Sequence, residues 1–196
     1  IGAAACAVVG TVAISVASAA TGTGYGYVSE AGAPGAPLRG VYRAGIFAVA
    51  AALALLAAAL RPIARDALVG VRLWPGILAL AVAAPLAATS GAVACTPGCP
   101  LPPYENANQT DIVHALASIG GLGLAAVAML LLAVAPPEAG RRLRLASRLG
   151  AGLVVPLLAA AGLAMLIVGR GFLAGALERA ALAFSLGWLV AVAATL

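Results

Sequence analysis

The sharpest chemical pattern in the chain is Asp111, His114 and Ser118, which follow one another at steps of three and four residues. On a helix this spacing places the three side chains on one face. His114 is therefore a candidate base, Asp111 its orienting partner, and Ser118 or a water molecule the nucleophile. Structural roles fit the spacing equally well: Asp111 as a helix cap, His114 bonded to a loop carbonyl and Ser118 bonded to its own backbone.

Five further charged residues are expected at the same end of the molecule. If the fold gathers them beside the first three, their guanidinium groups would bind a phosphate or a carboxylate, which suits a lipid headgroup. The simpler interpretation makes them interfacial anchors and solvated pairs. These candidate ligand-binding residues are Glu30, Arg43, Arg170, Glu178 and Arg179.

Two cysteines, Cys95 and Cys99, flank a Pro-Gly pair. Their spacing allows a structural disulfide, and free thiols and redox chemistry remain as alternatives. Zinc binding would need more Cys or His than the single His114 nearby. One histidine also excludes a bis-histidine haem and a multi-histidine metal site within one chain, so we expect no cofactor and no metal.

The elements that carry these residues are apolar blocks of about membrane-spanning length. The chain has 196 residues, of which 64% are hydrophobic and 9% charged, a composition that leaves a soluble domain too little polar surface. A bilayer core about 30 Å thick needs about 20 helical residues. We therefore predict an all-α polytopic bundle forming a single transmembrane domain over residues 1–196, with helices near 1–20, 41–60, 73–93, 112–135, 149–169 and 180–196.

Small residues dominate these blocks, which favours close packing of helix backbones in lipid. Near the end of the third block, Thr89 and Ser90 either line a cavity or bond back to their own helix. We expect the second arrangement, which is common for hydroxyl residues in membrane helices.

The arginines predict the orientation of the bundle. All eleven basic residues are Arg, and seven lie in the second and fourth connections, against Asp66 and Glu138. Short loops rich in Arg stay in the cytoplasm, so both termini are predicted to be cytoplasmic. Nucleic-acid binding is not expected, because no basic domain lies outside the membrane.

Several motifs of the chain together carry a family resemblance: residues 27–37, 41–45, 95–100, 111–114 with 117–118, and 169–171 followed by Glu178 and Arg179. They resemble the bacterial membrane proteins grouped as domain of unknown function 998. The resemblance implies a six-helix protein of the bacterial plasma membrane, and it transfers no catalytic assignment because the family lacks an established activity. The Ala, Gly and Arg bias without Lys also resembles a high-GC actinobacterium.

Three classes of function remain open at this point. The least demanding is noncatalytic binding of membrane lipids, or of a membrane partner that includes a second copy of the chain. A membrane-embedded lipid hydrolase or transferase using Asp111 and His114 is the first alternative, and a small transporter is the second. Transport predicts polar lining through both leaflets, catalysis a closed outer pocket, and binding an exposed groove or interface.

Overall fold

The fold, given by a computed structural model, is described for residues 1–22, 26–65 and 67–196, so Asp66 lies outside the described residues. Those ranges contain six α-helices, three short 3-10 turns and no strand, which confirms the all-α prediction. The helices are α1 (Gly2–Ala20), α2 (Arg39–Leu60), α3 (Ala67–Ala92), α4 (Gln109–Ala133), α5 (Arg141–Ile167) and α6 (Phe172–Ala193).

Each of the six helices is long and apolar enough to cross a membrane. Their outward faces expose large aliphatic side chains such as Val12, Leu78 and Leu163. Water would penalise so much exposed apolar surface, whereas lipid does not. The chain is therefore a multi-pass membrane protein.

Three helices begin six to eight residues earlier than the hydropathy pattern predicted. α3 starts at residue 67 rather than 73, α5 at 141 rather than 149, and α6 at 172 rather than 180. Hydropathy drops where charged residues begin. The helix nevertheless continues through them, because arginine is a good helix former. The first turns of α5 therefore carry four arginines, and Glu178 and Arg179 lie inside α6.

The helices form a ring in chain order, in which each packs against the next and α6 returns to α1. Each helix is of membrane-spanning length, so consecutive helices alternate in direction. Both termini and the connections 61–65 and 134–140 therefore share one end, here called the arginine end. The connections 26–38, 93–108 and 168–171, with residues 21–22, share the opposite end, here called the long-loop end.

Close backbone contact joins α1 to α2. A Cβ atom built on Gly10 would lie 2.9 Å from the carbonyl oxygen of Gly45, and one built on Gly45 would lie 3.1 Å from that of Gly10. Glycine at both positions lets the two backbones touch, as expected for helices that associate in lipid.

The arginine end of the ring is filled by a continuous apolar core. The innermost side chains of this core are fully buried. They include Leu56, Leu60, Leu73, Ile77, Leu80, Met129, Leu132, Leu143 and Val192.

Candidate functional site

A cavity of about 280 Å³ lies inside the ring toward the long-loop end, and all six helices contribute to its wall. Polar side chains line the part near the loops: Tyr27, Ser29, Tyr42, Ser90, Asp111, His114, Ser118 and Glu178. Apolar residues line the rest, among them Ile46, Ile119, Leu122, Leu158, Ala161 and Leu182. The core at the arginine end closes it below.

His114 is buried and is held by the end of α3. Its Nδ1 lies 2.7 Å from the carbonyl oxygen of Val93 and 3.1 Å from that of Ser90. Carbonyl oxygens only accept hydrogen bonds, so Nδ1 carries the proton that it donates to them. In the neutral ring Nε2 is then left with a lone pair and can accept a proton or bind a metal ion.

Ser118 lies one turn further along α4, with its Oγ 3.4 Å from Nε2 of His114. The same hydroxyl donates to the carbonyl oxygen of His114 at 2.8 Å and pairs with the hydroxyl of Ser90 at 2.7 Å. The expectation that Ser90 bonds back to its own helix is therefore wrong, because it faces Ser118. Thr89 does bond back, to the carbonyl oxygen of Pro85 at 2.9 Å.

Asp111 is buried in the first turn of α4, whose N-cap is Asn108. It exchanges hydrogen bonds with Asn108, each 3.0 Å long, as a capping box does. It also accepts from the amide and the hydroxyl of Thr96, at 2.6 and 2.9 Å. No hydrogen bond between Asp111 and His114 is found among the described residues, so carbonyl oxygens rather than Asp111 orient the imidazole.

Cys95 and Cys99 form the disulfide that their spacing suggested. Between them, the amide of Cys99 donates to the carbonyl oxygen of Thr96 at 2.9 Å, and Gly98 has a φ of 91°. Only glycine adopts this backbone conformation readily, so the Pro-Gly pair makes the tight turn possible. The two sulfurs and one ring nitrogen of His114 all lie within 4.8 Å of one another.

The first loop covers the long-loop end of the cavity with Tyr27, Val28 and Ser29. Glu178 on α6 holds it by accepting a hydrogen bond from the amide of Val28 at 3.0 Å. Burial raises the pKa of the Tyr27 phenol from 10.0 to about 12, and the carboxylates of Glu105 and Glu178 act in the same direction. Tyr27 therefore stays protonated at neutral pH and can only offer a neutral hydroxyl.

Glu30 and Arg170 form an ion pair that joins the first loop to the last. Oε1 of Glu30 accepts from Nε of Arg170 at 3.0 Å and from its Nη2 at 2.9 Å. The same oxygen accepts from the amide of Tyr27 at 3.0 Å. Neither side chain lines the cavity, so the pair positions the loop above it.

Arg43 and Arg179 also point away from the cavity. Arg43 donates to the last carbonyl oxygens of α3, those of Gly91 and Ala92, at 2.8 and 3.0 Å. Arg179 lines a separate crevice of about 740 Å³ between α1 and α6, together with Ser15 and Ser18. Of the five charged residues predicted to bind a ligand, Glu178 alone lines the central cavity.

Sequence reasoning missed Tyr42 and Thr96. Tyr42 is buried on α2 and lines the cavity, although its position beside Arg43 is equally typical of an interfacial anchor. Thr96 is identified as the partner of Asp111 only after the second loop has folded back onto α4.

Nearly the whole chain matches the sequence model of a known family. The sequence model of a family described as "Protein of unknown function (DUF998)" matches residues 3–195. No curated protein matches the chain, and no solved structure matches it.

Proposed function

We propose, for a chain that belongs to the DUF998 family of proteins of unknown function, that the central cavity binds one chain of a membrane amphiphile. The observation that carries the proposal is the layout of the cavity, which is polar near the loops, apolar below and closed by the core. An amphiphile has the same layout. Binding an apolar chain beside polar groups that fix its head is how small-molecule sites combine affinity with orientation.

The cavity reaches the lipid-facing surface between α4 and α5. Ile119 lines the cavity and yet is 59% exposed. Gly123 on α4 and Gly162 on α5 also line it, and a Cβ built on either would meet no atom within 4 Å. We infer that this seam admits the chain sideways from the bilayer.

The size of the cavity and the charge of its lining limit the class of ligand that it can bind. A volume of about 280 Å³ is at the lower limit of the roughly 300–1,000 Å³ of ligand sites, which suits one chain rather than a whole phospholipid. The lining includes the carboxyl groups of Asp111 and Glu178, and no arginine among the described residues. A head with hydroxyl, amide or amine donors fits this lining better than a phosphate does.

The proposal also includes the orientation of the bundle in the membrane and the leaflet that the cavity faces. The seven arginines of the arginine end favour a cytoplasmic position for that end and for both termini. The cavity would then open to the outer leaflet of a bacterial plasma membrane, whose lipids are the proposed partners. A membrane protein partner or a second copy of the chain remains compatible with the exposed helix faces.

Titration with a medium-chain monoacylglycerol, followed by native mass spectrometry of the detergent-solubilised protein, tests this proposal. Gly162→Leu fills the seam and should weaken binding by at least about tenfold, equivalent to 1.4 kcal/mol. Gly152→Leu is the matched control on the same helix, because a Cβ there also meets no atom and the residue does not line the cavity. Equal binding by Gly162→Leu and wild type, or no binding by wild type, would overturn the proposal.

A second candidate function is hydrolysis or transfer of an acyl group. The supporting observation is the 3.4 Å separation between Nε2 of His114 and Oγ of Ser118, with Nδ1 already protonated. In such a reaction Nε2 takes the hydroxyl proton as Oγ attacks the ester carbon, the bond from that carbon to the alcohol oxygen breaks, and Nε2 returns the proton to the departing alcohol. Water then attacks the acylated Ser118, which releases the fatty acid and restores the hydroxyl. Release of fatty acid from a medium-chain ester should then be lost in Ser118→Ala, while Gly152→Leu keeps it. Equal release by Ser118→Ala and wild type would exclude this role.

A further inference from the structure

We propose that Cys95, Cys99 and His114 form a zinc site when the disulfide between the two cysteines is reduced. The proposal does not depend on the ligand of the cavity. It concerns a cluster whose two parts lie 15 residues or more apart in the chain and meet only in the fold.

The positions of the three side chains fit one ion. Both sulfurs and a ring nitrogen of His114 lie within 4.8 Å of one another, and all three residues are buried. Zinc binds sulfur at about 2.3 Å and nitrogen at about 2.0–2.1 Å, so its ligands lie roughly 3.5–4 Å apart. Once the bond between the sulfurs is broken, rotation of the cysteine side chains is enough to reach this spacing.

The hydrogen bonds of His114 are those of a metal ligand. Metal-binding histidines usually donate their second N–H to a carboxylate or a backbone carbonyl, which fixes the ring and leaves the other nitrogen free to bind. His114 donates from Nδ1 to the carbonyl oxygens of Ser90 and Val93.

The sequence alone argued against a zinc site, and the fold changes that conclusion. Two cysteines and one distant histidine are too few for a structural zinc site, which normally has four protein ligands. Three protein ligands with an open fourth position are, however, the arrangement of catalytic zinc sites. Cys95, Cys99 and His114 all line the cavity, so an ion held by them would border the space in which we place the amphiphile.

The surroundings of the cysteines hold their turn in place without help from the metal. Asp111 binds the amide and hydroxyl of Thr96, and the amide of Cys99 closes the turn onto the carbonyl oxygen of Thr96. His114 and Asp111 belong to the same turns of α4, so one helix end sets both the turn and the imidazole. Such preorganisation lowers the cost of ordering the ligands.

The two states interconvert by a balanced reaction. A dithiol reductant supplies two electrons and two protons, the bond between the sulfurs breaks, two thiols form, and the reductant becomes a disulfide. Zinc then replaces the two thiol protons, because the thiolate is the form that binds metal. Oxidation therefore excludes the metal, and reduction admits it.

Cobalt titration of the detergent-solubilised protein tests the proposal, because Co²⁺ occupies zinc sites and shows a thiolate charge-transfer band. Protein reduced with a phosphine should bind one Co²⁺ per chain, which Zn²⁺ should displace. The oxidised protein should bind none. Cys6→Ser is the matched control, since Cys6 is the free cysteine of α1 and should leave the band unchanged.

His114→Asn separates the metal site from the fold, because the Asn amide can still donate to the carbonyl oxygens but offers no ring nitrogen. It should weaken Co²⁺ binding by at least about tenfold. Cys95→Ser and Cys99→Ser should each remove the charge-transfer band or reduce it by half. The proposal is overturned if reduced wild type binds no Co²⁺, if the oxidised protein binds it equally, or if His114→Asn binds as tightly as wild type.

Discussion

His114 Nδ1 lies 2.7 Å from the carbonyl oxygen of Val93, the residue that follows the last residue of α3. The last carbonyl groups of a helix have no partner within it and need donors from elsewhere. A side chain of α4 supplies that donor, and a second contact reaches the carbonyl oxygen of Ser90. One imidazole therefore joins two helices and still presents Nε2 as an acceptor.

Removal of this side chain should destabilise the protein. We expect His114→Ala to lower the free energy of unfolding by about 1–3 kcal/mol, because buried carbonyl groups lose their donor. His114→Asn should lose less than half as much, since its amide can still donate. Thermal unfolding in detergent, followed by circular dichroism, measures both. Equal losses for the two variants would show that the hydrogen bonds do not carry the effect.

The ion pair between Glu30 and Arg170 should contribute little by itself. The Arg170 side chain is 38% exposed, so solvent screens the 2.9 Å contact, and exposed pairs are worth about 0.2–1 kcal/mol. A double-mutant cycle of Glu30→Gln and Arg170→Gln should give a coupling energy in that range, and it should fall as salt is added. A coupling above about 2 kcal/mol would contradict this estimate.

The six helices were predictable because a bilayer imposes one length and one composition on every span. The same constraint explains why the starts of α3, α5 and α6 were placed too late. Hydropathy records where a helix leaves the hydrocarbon, whereas the backbone stays helical through the interface. The pairing of Cys95 with Cys99 was predictable for another reason, since four residues of chain can bring the two sulfurs together locally.

The candidate site was predictable only in part. Asp111, His114 and Ser118 could be placed on one face because helical periodicity is local. Whether Arg43 faces a cavity or the end of α3 depends on which helix lies beside α2, and apolar periodicity carries no such information. The meeting of His114 with the cysteines likewise requires the second loop to fold back over α4.

The phenol of Tyr27 should make stability depend on alkaline pH. Its pKa is about 12 in the folded protein and 10.0 ordinarily, so the unfolded chain loses the proton first. The stabilisation is complete below pH 10 and is lost as pH rises toward 12, by roughly 1.4 kcal/mol for each unit of the pKa difference. Unfolding at graded pH should show a steeper decline for wild type than for Tyr27→Phe.

No lysine titrates between pH 10 and 12 in this protein, because all eleven basic side chains are arginines. The other tyrosines contribute equally to both proteins and cancel in the difference. Parallel curves for wild type and Tyr27→Phe would show that Tyr27 titrates normally.

The contact between α1 and α2 gives a test of packing in which one substitution has opposite effects at two sites. At Gly10 a Cβ would lie 2.7 Å from a methyl carbon of Val49 and 2.9 Å from the carbonyl oxygen of Gly45, so Gly10→Ala must push the helices apart. At Gly152 the same atom meets nothing within 4 Å, and alanine is the better helix former by about 1 kcal/mol.

We therefore expect Gly10→Ala to lower the thermal unfolding temperature in detergent and Gly152→Ala to leave it unchanged or raise it. Overpacking of this kind costs about 1–3 kcal/mol. Because the two variants differ only in position, helix propensity alone predicts the same sign for both. A rise in both would mean that α1 moves away from α2 without loss of stability, and that their backbone contact contributes nothing to the ring.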